Sequence, residues 1–263
     1  MTVWVGTSWK MNKSLAEAKR YAAELLEGLD QRELGAVQPF IIPPATALSA
    51  VAGVLDGDGR VLLGAQNAHW EDSGAWTGEV SVPQVADAGA QLVEIGHSER
   101  RAHFAETDET VRRKVAAALR HGLTPLLCVG EPADVKDAGR SSGFILQQAY
   151  RALDGLSPEQ LSRVLIAYEP IWAIGEAGRA ADAEELRGPF ADLGGAYGDR
   201  VAGLLYGGSV APDNASELLG IPHVDGLFVG RAAWQVEGYL HLLDIAAETA
   251  GTRSPARPGH SSH

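Results

Sequence analysis

Eight short runs of β-branched and apolar residues recur along the chain. They are VWVG (3–6), FII (40–42), VLLGA (61–65), LVEIG (92–96), PLLCVG (125–130), VLIAY (164–168), GLLYG (203–207) and GLFVG (226–230). Near-continuous apolar runs of this length read as strands buried on both faces, as in a parallel sheet. Amphipathic segments separate them. Ser14-Leu15-Ala16-Glu17 has the form of a capping box, and it predicts a helix with Leu15, Ala18, Ala22, Leu25, Leu26 and Leu29 on one side. Val111, Val115 and Leu119 mark another helical face, which Gly122 ends before the next strand begins. Strand and helix alternate with no break in composition, which predicts parallel βα units in a single α/β domain. Eight such units in about 250 residues are the usual size of a (β/α)8 barrel. A doubly wound open sheet is the alternative. It usually carries a glycine-rich dinucleotide fingerprint after its first strand, and GTSWKMN (6–12) is not one. The barrel is expected over residues 1–250. The final stretch, 251–263, is rich in Gly, Pro and Ser and is expected to be a flexible tail.

Charge narrows the partners. The net charge is −12, which argues against nucleic acid. An acidic surface also repels anions at long range, so any anion site must be built locally. The single cysteine, Cys128, excludes an internal disulfide and suits a reducing compartment. No apolar run reaches the length of a signal peptide core or a membrane span. A cytoplasmic protein with no membrane partner is expected.

In a barrel of this kind, function sits where the strands end. After the first run come Ser8 and Lys10. After the fourth come His97, Ser98, Glu99 and Arg100. Glu169 follows the sixth, Gly207, Gly208 and Ser209 the seventh, and Gly230 and Arg231 the eighth. A glutamate directly after a buried strand is partly desolvated, which raises its pKa and makes it a better base. A histidine opening a helix, as in HSERRAHF (97–104), is kept neutral by the helix dipole and donates a hydrogen bond. Lys10 supplies a positive charge. Each has a plain structural explanation when taken singly: a paired surface glutamate, a core histidine, a solvated lysine. Together on one rim they favour proton transfer beside a carbonyl. YGGSV (206–210) and FVGRAA (228–233) are glycine-bearing turns after the last two strands, a common place for a phosphate. The segment Pro170-Ile171-Trp172 and the small residues after it read as a lid over the base. A lid protects an enediol phosphate from losing its phosphate to water.

These motifs resemble one family. SWKMN (8–12), GAQN (64–67), GAWTGE (74–79), IGHSERR (95–101), CVGE (128–131), AYEPIWAIG (167–175), YGGSV (206–210) and DGLFVG (225–230) fall in the order found in triosephosphate isomerases. The resemblance covers nearly the whole chain. It implies that Lys10, His97 and Glu169 are the catalytic lysine, electrophile and base. The resemblance thus implies the family's established pairing of a glutamate base with a neutral histidine. It further implies that Glu99 is a buried acid near the lysine and that Tyr206 and Ser209 latch the lid. It implies a homodimer, whose GAWTGE loop carries Trp76 and Thr77 into the neighbouring subunit near Ser8 and Lys10. Neither cofactor nor metal is implied. Substrate contacts are expected from Ser8, Gly175, Ser209, Gly230 and Arg231.

The departures from the family pattern matter as much. The family normally has Asn where Ser8 stands. The usual lid tip, Gly-Thr-Gly-Lys, is here Gly175-Glu176-Ala177-Gly178, with Arg179 one position later. Arg231 replaces the second glycine of the last turn, and Trp76 replaces a Phe. GTSWKMNK, HWEDSGAWTGE and GRAAWQVEGYL together resemble a branch that isomerises four-carbon ketose phosphates such as erythrulose 1-phosphate. An aldose–ketose isomerase acting on triose phosphate or on a four-carbon phosphate is therefore expected. The alternative is a non-catalytic phosphate-binding relative. A synthase or aldolase barrel has no special use for the HSER and EPIW segments together.

Overall fold

The structure, a computed structural model, describes residues 2–175 and 178–252. Eight strands form a closed, all-parallel barrel in sequence order. They are β1 (Val3–Ser8), β2 (Val37–Ile42), β3 (Leu62–Ala65), β4 (Leu92–Ile95), β5 (Thr124–Val129), β6 (Leu165–Tyr168), β7 (Gly203–Tyr206) and β8 (Gly226–Val229). Strand β1 pairs with both β2 and β8, so the sheet has no edge, and the open doubly wound alternative is excluded. The surrounding helices are α1 (Leu15–Leu29), α2 (Leu48–Leu55), α3 (Val82–Asp87), α4 (Ser98–His103), α5 (Asp108–Arg120), α6 (Ala133–Asp137), α7 (Ser141–Leu153), α8 (Pro158–Leu161), α9 (Ala183–Tyr197), α10 (Pro212–Leu219) and α11 (Val236–Thr252).

Alternation along each strand divides the core in two. Phe40, Leu92, Leu126, Leu165, Leu205 and Phe228 plug the inside of the barrel. Residues of opposite parity, such as Val5, Ile41, Val93, Leu127 and Ile166, pack outward against the helices. The inside is thus a filled core, and the cavity lies above the plug at the strands' C-terminal ends.

The Ser14–Glu17 capping box opens α1 as the sequence predicts. Its buried face begins at Ala18. Leu15 is about half exposed and Leu26 only partly buried, because the buried stripe runs through Ala18, Tyr21, Ala22, Leu25 and Leu29. Helix α5 buries Val111, Val115 and Leu119, also as predicted. Helix α11 runs to Thr252, so regular structure continues two residues past the expected end of the barrel. Residues 253–263, most of the expected tail, lie outside the described residues.

Candidate active site

Strand β6 ends at Tyr168 and delivers Glu169 into the barrel mouth, 5% exposed. Two glycines make this position possible. A Cβ at Gly130 would lie 1.9 Å from the Glu169 carbonyl oxygen, and one at Gly207 would lie 2.6 Å from its Cγ. Burial pushes the Glu169 carboxyl up to about 8, and the negative charge of Glu94 adds to the rise. Lys10 opposes both effects.

His97 is the N-cap of α4, and its Nδ1 accepts the Glu99 amide hydrogen at 3.1 Å. A neutral ring that accepts at Nδ1 carries its proton on Nε2. That nitrogen lies 3.5 Å from Glu169 Oε2. Burial, followed by the charge of Lys10, lowers the His97 pKa to about 4. The turn bearing His97 is held from behind. Glu106 accepts the Gly96 amide hydrogen, and it is ion-paired with buried Lys114 at 2.6 Å and with Arg100 at 2.9 Å.

Lys10 reaches the same mouth from β1 with a left-handed backbone, φ 51°. Such backbones are strained for a side-chain-bearing residue and cluster at functional sites. Gln66 Nε2 donates to the Lys10 carbonyl at 2.8 Å, and Lys10 Nζ meets Glu99 at 2.5 Å. Glu99 departs from expectation. It stands next to the lysine, but its side chain is 49% exposed, because the first turn of α4 faces the open mouth. The buried acid of this pocket is Glu94 on β4, 4% exposed and pushed up to about 7 by burial. An acid within an otherwise apolar strand is a sequence signal, and strand recognition alone passes over it.

The cavity above the plug is about 660 Å³. It brings together Ser8, Lys10, Glu94, His97, Glu99 and Glu169 with the turns after β7 and β8. Ser209, Gly230 and Arg231 line it, as does Gly175 from the loop after β6. Arg231 Nη2 donates to the Gly175 carbonyl at 3.3 Å, so the last turn touches the lid. Ser209 Oγ donates to the Ala173 carbonyl at 2.7 Å. Tyr206 is fully buried beside Gly208, whose added Cβ would meet the tyrosine oxygen. The Tyr206 hydroxyl has no hydrogen-bond partner among the described residues.

Pro170, Ile171 and Trp172 leave β6 over Glu131, which the sequence reading assigned no role. Its Oε1 accepts from Trp172 Nε1 at 2.9 Å, Tyr168 Oη at 3.0 Å and Ser141 Oγ at 2.9 Å. The Glu131 carbonyl accepts the Ile171 amide hydrogen at 3.0 Å. One buried carboxylate thus fixes the root of the loop. Gly178 packs directly on the Ile174 backbone, where any Cβ would clash. Glu176 and Ala177, the altered lid tip, lie outside the described residues. On the far side of the mouth, Trp76 is 47% exposed, with its other face on His69, ring centroids 4.5 Å apart. Thr77 beside it is exposed.

A carboxyl group of raised proton affinity, an imidazole N–H facing it and an ammonium group surround one small volume, with glycine turns beside it. Such a closed (β/α)8 barrel is equipped to move a proton between adjacent carbons of a phosphorylated substrate. The chain belongs to the triosephosphate isomerase family, whose profile matches residues 3–246. It is 66% identical over 245 residues to an L-erythrulose-1-phosphate isomerase of Mycolicibacterium smegmatis, covering 93% of each chain. A protein of the same description from Mesorhizobium japonicum is 49% identical over 93% of this chain and 97% of its own. Among solved structures, triosephosphate isomerase from Bartonella henselae superposes with a TM-score of 0.80 at 34% identity, over 93% of this chain and 99% of that one. The protein is an isomerase of sugar phosphates.

Proposed function

We propose that this isomerase acts on erythrulose 1-phosphate, with Glu169 as the base, His97 as the electrophile and Lys10 as the cation beside the developing oxyanion. The observation that carries the proton-transfer roles is His97 Nε2 facing Glu169 Oε2 across 3.5 Å inside the cavity. The four-carbon substrate is supported by the names of the relatives above and by Ser8, which is shorter than the family's usual amide.

The chemistry follows from the substrate. Its C1 oxygen is esterified, so no carbonyl can form there, and the C2 carbonyl must move towards C3. Glu169 takes the C3 hydrogen as a proton. The C–H electron pair becomes the C2–C3 double bond, and the carbonyl pair moves onto O2. His97 Nε2–H and the Lys10 ammonium stabilise that oxygen. The proton returns from Glu169 to C2 while the O3 proton passes to O2 by way of His97, so that O3 becomes the carbonyl oxygen and O2 a hydroxyl. The product is erythrulose 4-phosphate, also a ketose. On triose phosphate the same step interconverts ketose and aldose.

The phosphate is held by the backbone of Gly207–Ser209 and Gly230–Arg231 and by the Arg231 guanidinium, local positive groups on an acidic protein. The loop rooted at Pro170, Ile171 and Trp172 closes over the substrate, with Ser209 and Tyr206 as its latch. Glu99 orients Lys10. No cofactor takes part in these steps. The working unit is a homodimer, with Trp76 and Thr77 reaching the partner. Exposed Met11, at 96%, and Phe104, at 66%, support an apolar contact of that kind. A cytoplasmic setting suits the lone Cys128, which is buried and unpaired.

The test is a side-by-side measurement of kcat/KM on erythrulose 1-phosphate and dihydroxyacetone phosphate. The four-carbon substrate is expected to win. Preference for the triose phosphate overturns the substrate assignment.

A further inference from the structure

Glu94 has no part in the proton transfer, yet it occupies the floor of the cavity. It shares inward parity with Leu92 on β4 and stands one layer above the plug. A charge-bearing side chain at 4% exposure is costly where an apolar one fits. Its Oε2 has no hydrogen-bond partner among the described residues. The Ser8 hydroxyl from β1 interacts with the carboxyl group, and both residues line the cavity. A carboxyl group that lines a cavity while one of its buried oxygens lacks a partner points to a ligand group that completes it.

The substrate's path gives that group a chemistry. The phosphate turns follow β7 and β8, and the reacting carbons lie between Glu169 and His97. Glu94 and Ser8 line the same cavity from β4 and β1, apart from the turns that follow β7 and β8. Erythrulose 1-phosphate carries one more group than a triose phosphate, a hydroxymethyl on C3, at the end remote from phosphate. We propose that Glu94, with Ser8, is the specificity site for this terminal hydroxymethyl, the Glu94 carboxyl group hydrogen-bonding its hydroxyl. The proposal rests on the four-carbon substrate assigned above. Asn at position 8 would reach into the same space, so the shorter Ser8 makes room for the added carbon and Glu94 supplies its polar partner.

Two non-reacting probes isolate the contact: glycerol 3-phosphate and erythritol 4-phosphate, which differ by one CHOH unit and carry the same phosphate. Their dissociation constants are measured by calorimetry on the parent, Glu94→Gln and Glu94→Leu proteins. The parent is expected to favour the four-carbon polyol by roughly 10- to 100-fold, as for a hydrogen bond to a charged or strongly polar group. Glu94→Leu removes most of that preference, while its affinity for glycerol phosphate changes far less. Glu94→Gln, which keeps the shape and polar atoms, retains an intermediate preference and covers the case in which the leucine variant does not fold. Equal weakening of both probes, or an unchanged ratio in both variants, overturns the proposal. So does a parent with no preference. Turnover is scored separately. A parent that isomerises triose phosphate better refutes the assigned substrate, while the ratio of probe affinities still decides the role of Glu94.

Discussion

His97 Nε2 and Glu169 Oε2 stand 3.5 Å apart, both nearly sealed from solvent, yet they arrive from strands β4 and β6 with β5 between them. The imidazole is turned towards the carboxyl group because its other nitrogen is committed to the Glu99 amide. The carboxyl group is in place because Gly130 and Gly207 leave it room. Geometry of this kind binds a substrate with its carbonyl on one group and its acidic C–H on the other.

Glu169→Asp retracts the carboxylate by about one ångström while keeping its charge. Turnover is expected to fall on the order of 10²-fold or more, with binding of a phosphate analogue largely retained. Steady-state kinetics beside a calorimetric titration separate the two. An aspartate variant that turns over at the parental rate rules out Glu169 as the base.

The His97 ring is expected to stay neutral near pH 7 with its proton on Nε2, since burial and Lys10 lower its pKa to about 4. Nitrogen-15 chemical shifts of the ring report both features directly. An imidazolium signal at pH 7 contradicts the assignment. His97→Gln keeps one donor in altered geometry and is expected to impair turnover more than binding.

Much of this was legible because parallel barrel strands are buried on both faces and read as uninterrupted apolar runs. Strand β2 was the least complete, since Gln38 and Pro39 break its run, although the strand begins at Val37. The rim residues were legible because each follows a strand directly. Burial within one local segment was harder to read. Glu99 is adjacent to Glu94 in the fold and shares its charge, but one lies on an open helix turn and the other inside the barrel. Only the three-dimensional parity of β4 distinguishes them. Glu131 was hidden for a similar reason, because its three side-chain partners come from distant positions in the sequence.

The homodimer is tested through Trp76, a large aromatic residue that is half exposed in the isolated chain. Trp76→Arg replaces an interface anchor with a charge, and such anchors are worth about 2 kcal/mol or more. Sedimentation at micromolar concentration is expected to show a dimer for the parent and a shift of roughly 30-fold or more in dissociation constant for the variant. A fully active parental monomer removes the dimer from the proposal.

The pH profile follows from the two buried carboxyl groups. Glu169 must be ionised to act as a base, and its pKa is raised to about 8. The acidic limb of kcat/KM, which reports the free enzyme, is therefore expected well above the ordinary carboxylate range. Part of the rise comes from the charge of Glu94. Glu94→Gln removes that repulsion but not the burial. The limb should shift to lower pH without reaching the value of a solvated glutamate. The substrate's own phosphate ionises near pH 6 in both cases, so the difference between the two profiles carries the result. Superimposable limbs refute the coupling of Glu94 to Glu169.

The same pair makes stability depend on pH with a definite sign. In the unfolded chain both glutamates ionise near 4.5, while in the folded protein they hold their protons to about 7 for Glu94 and about 8 for Glu169. Between those limits the folded state binds more protons than the unfolded state, so stability falls as pH rises through the window. Below pH 4.5 both states are protonated and these groups contribute no such loss. Glu94→Gln deletes one of the two terms. Its advantage over the parent should be small near pH 5, grow as pH rises to about 7, and level off above that, at an order of a few kcal/mol. In a chain of this size, each kcal/mol is about 2–4 °C in Tm. Thermal melts of both proteins at pH 5, 6, 7 and 8 give the curve. A gap that is constant across the series means that Glu94 is as ionised in the fold as in the unfolded chain. The gap is expected instead to widen up to about pH 7, because burial keeps a proton on Glu94 in the fold that the unfolded chain has already released.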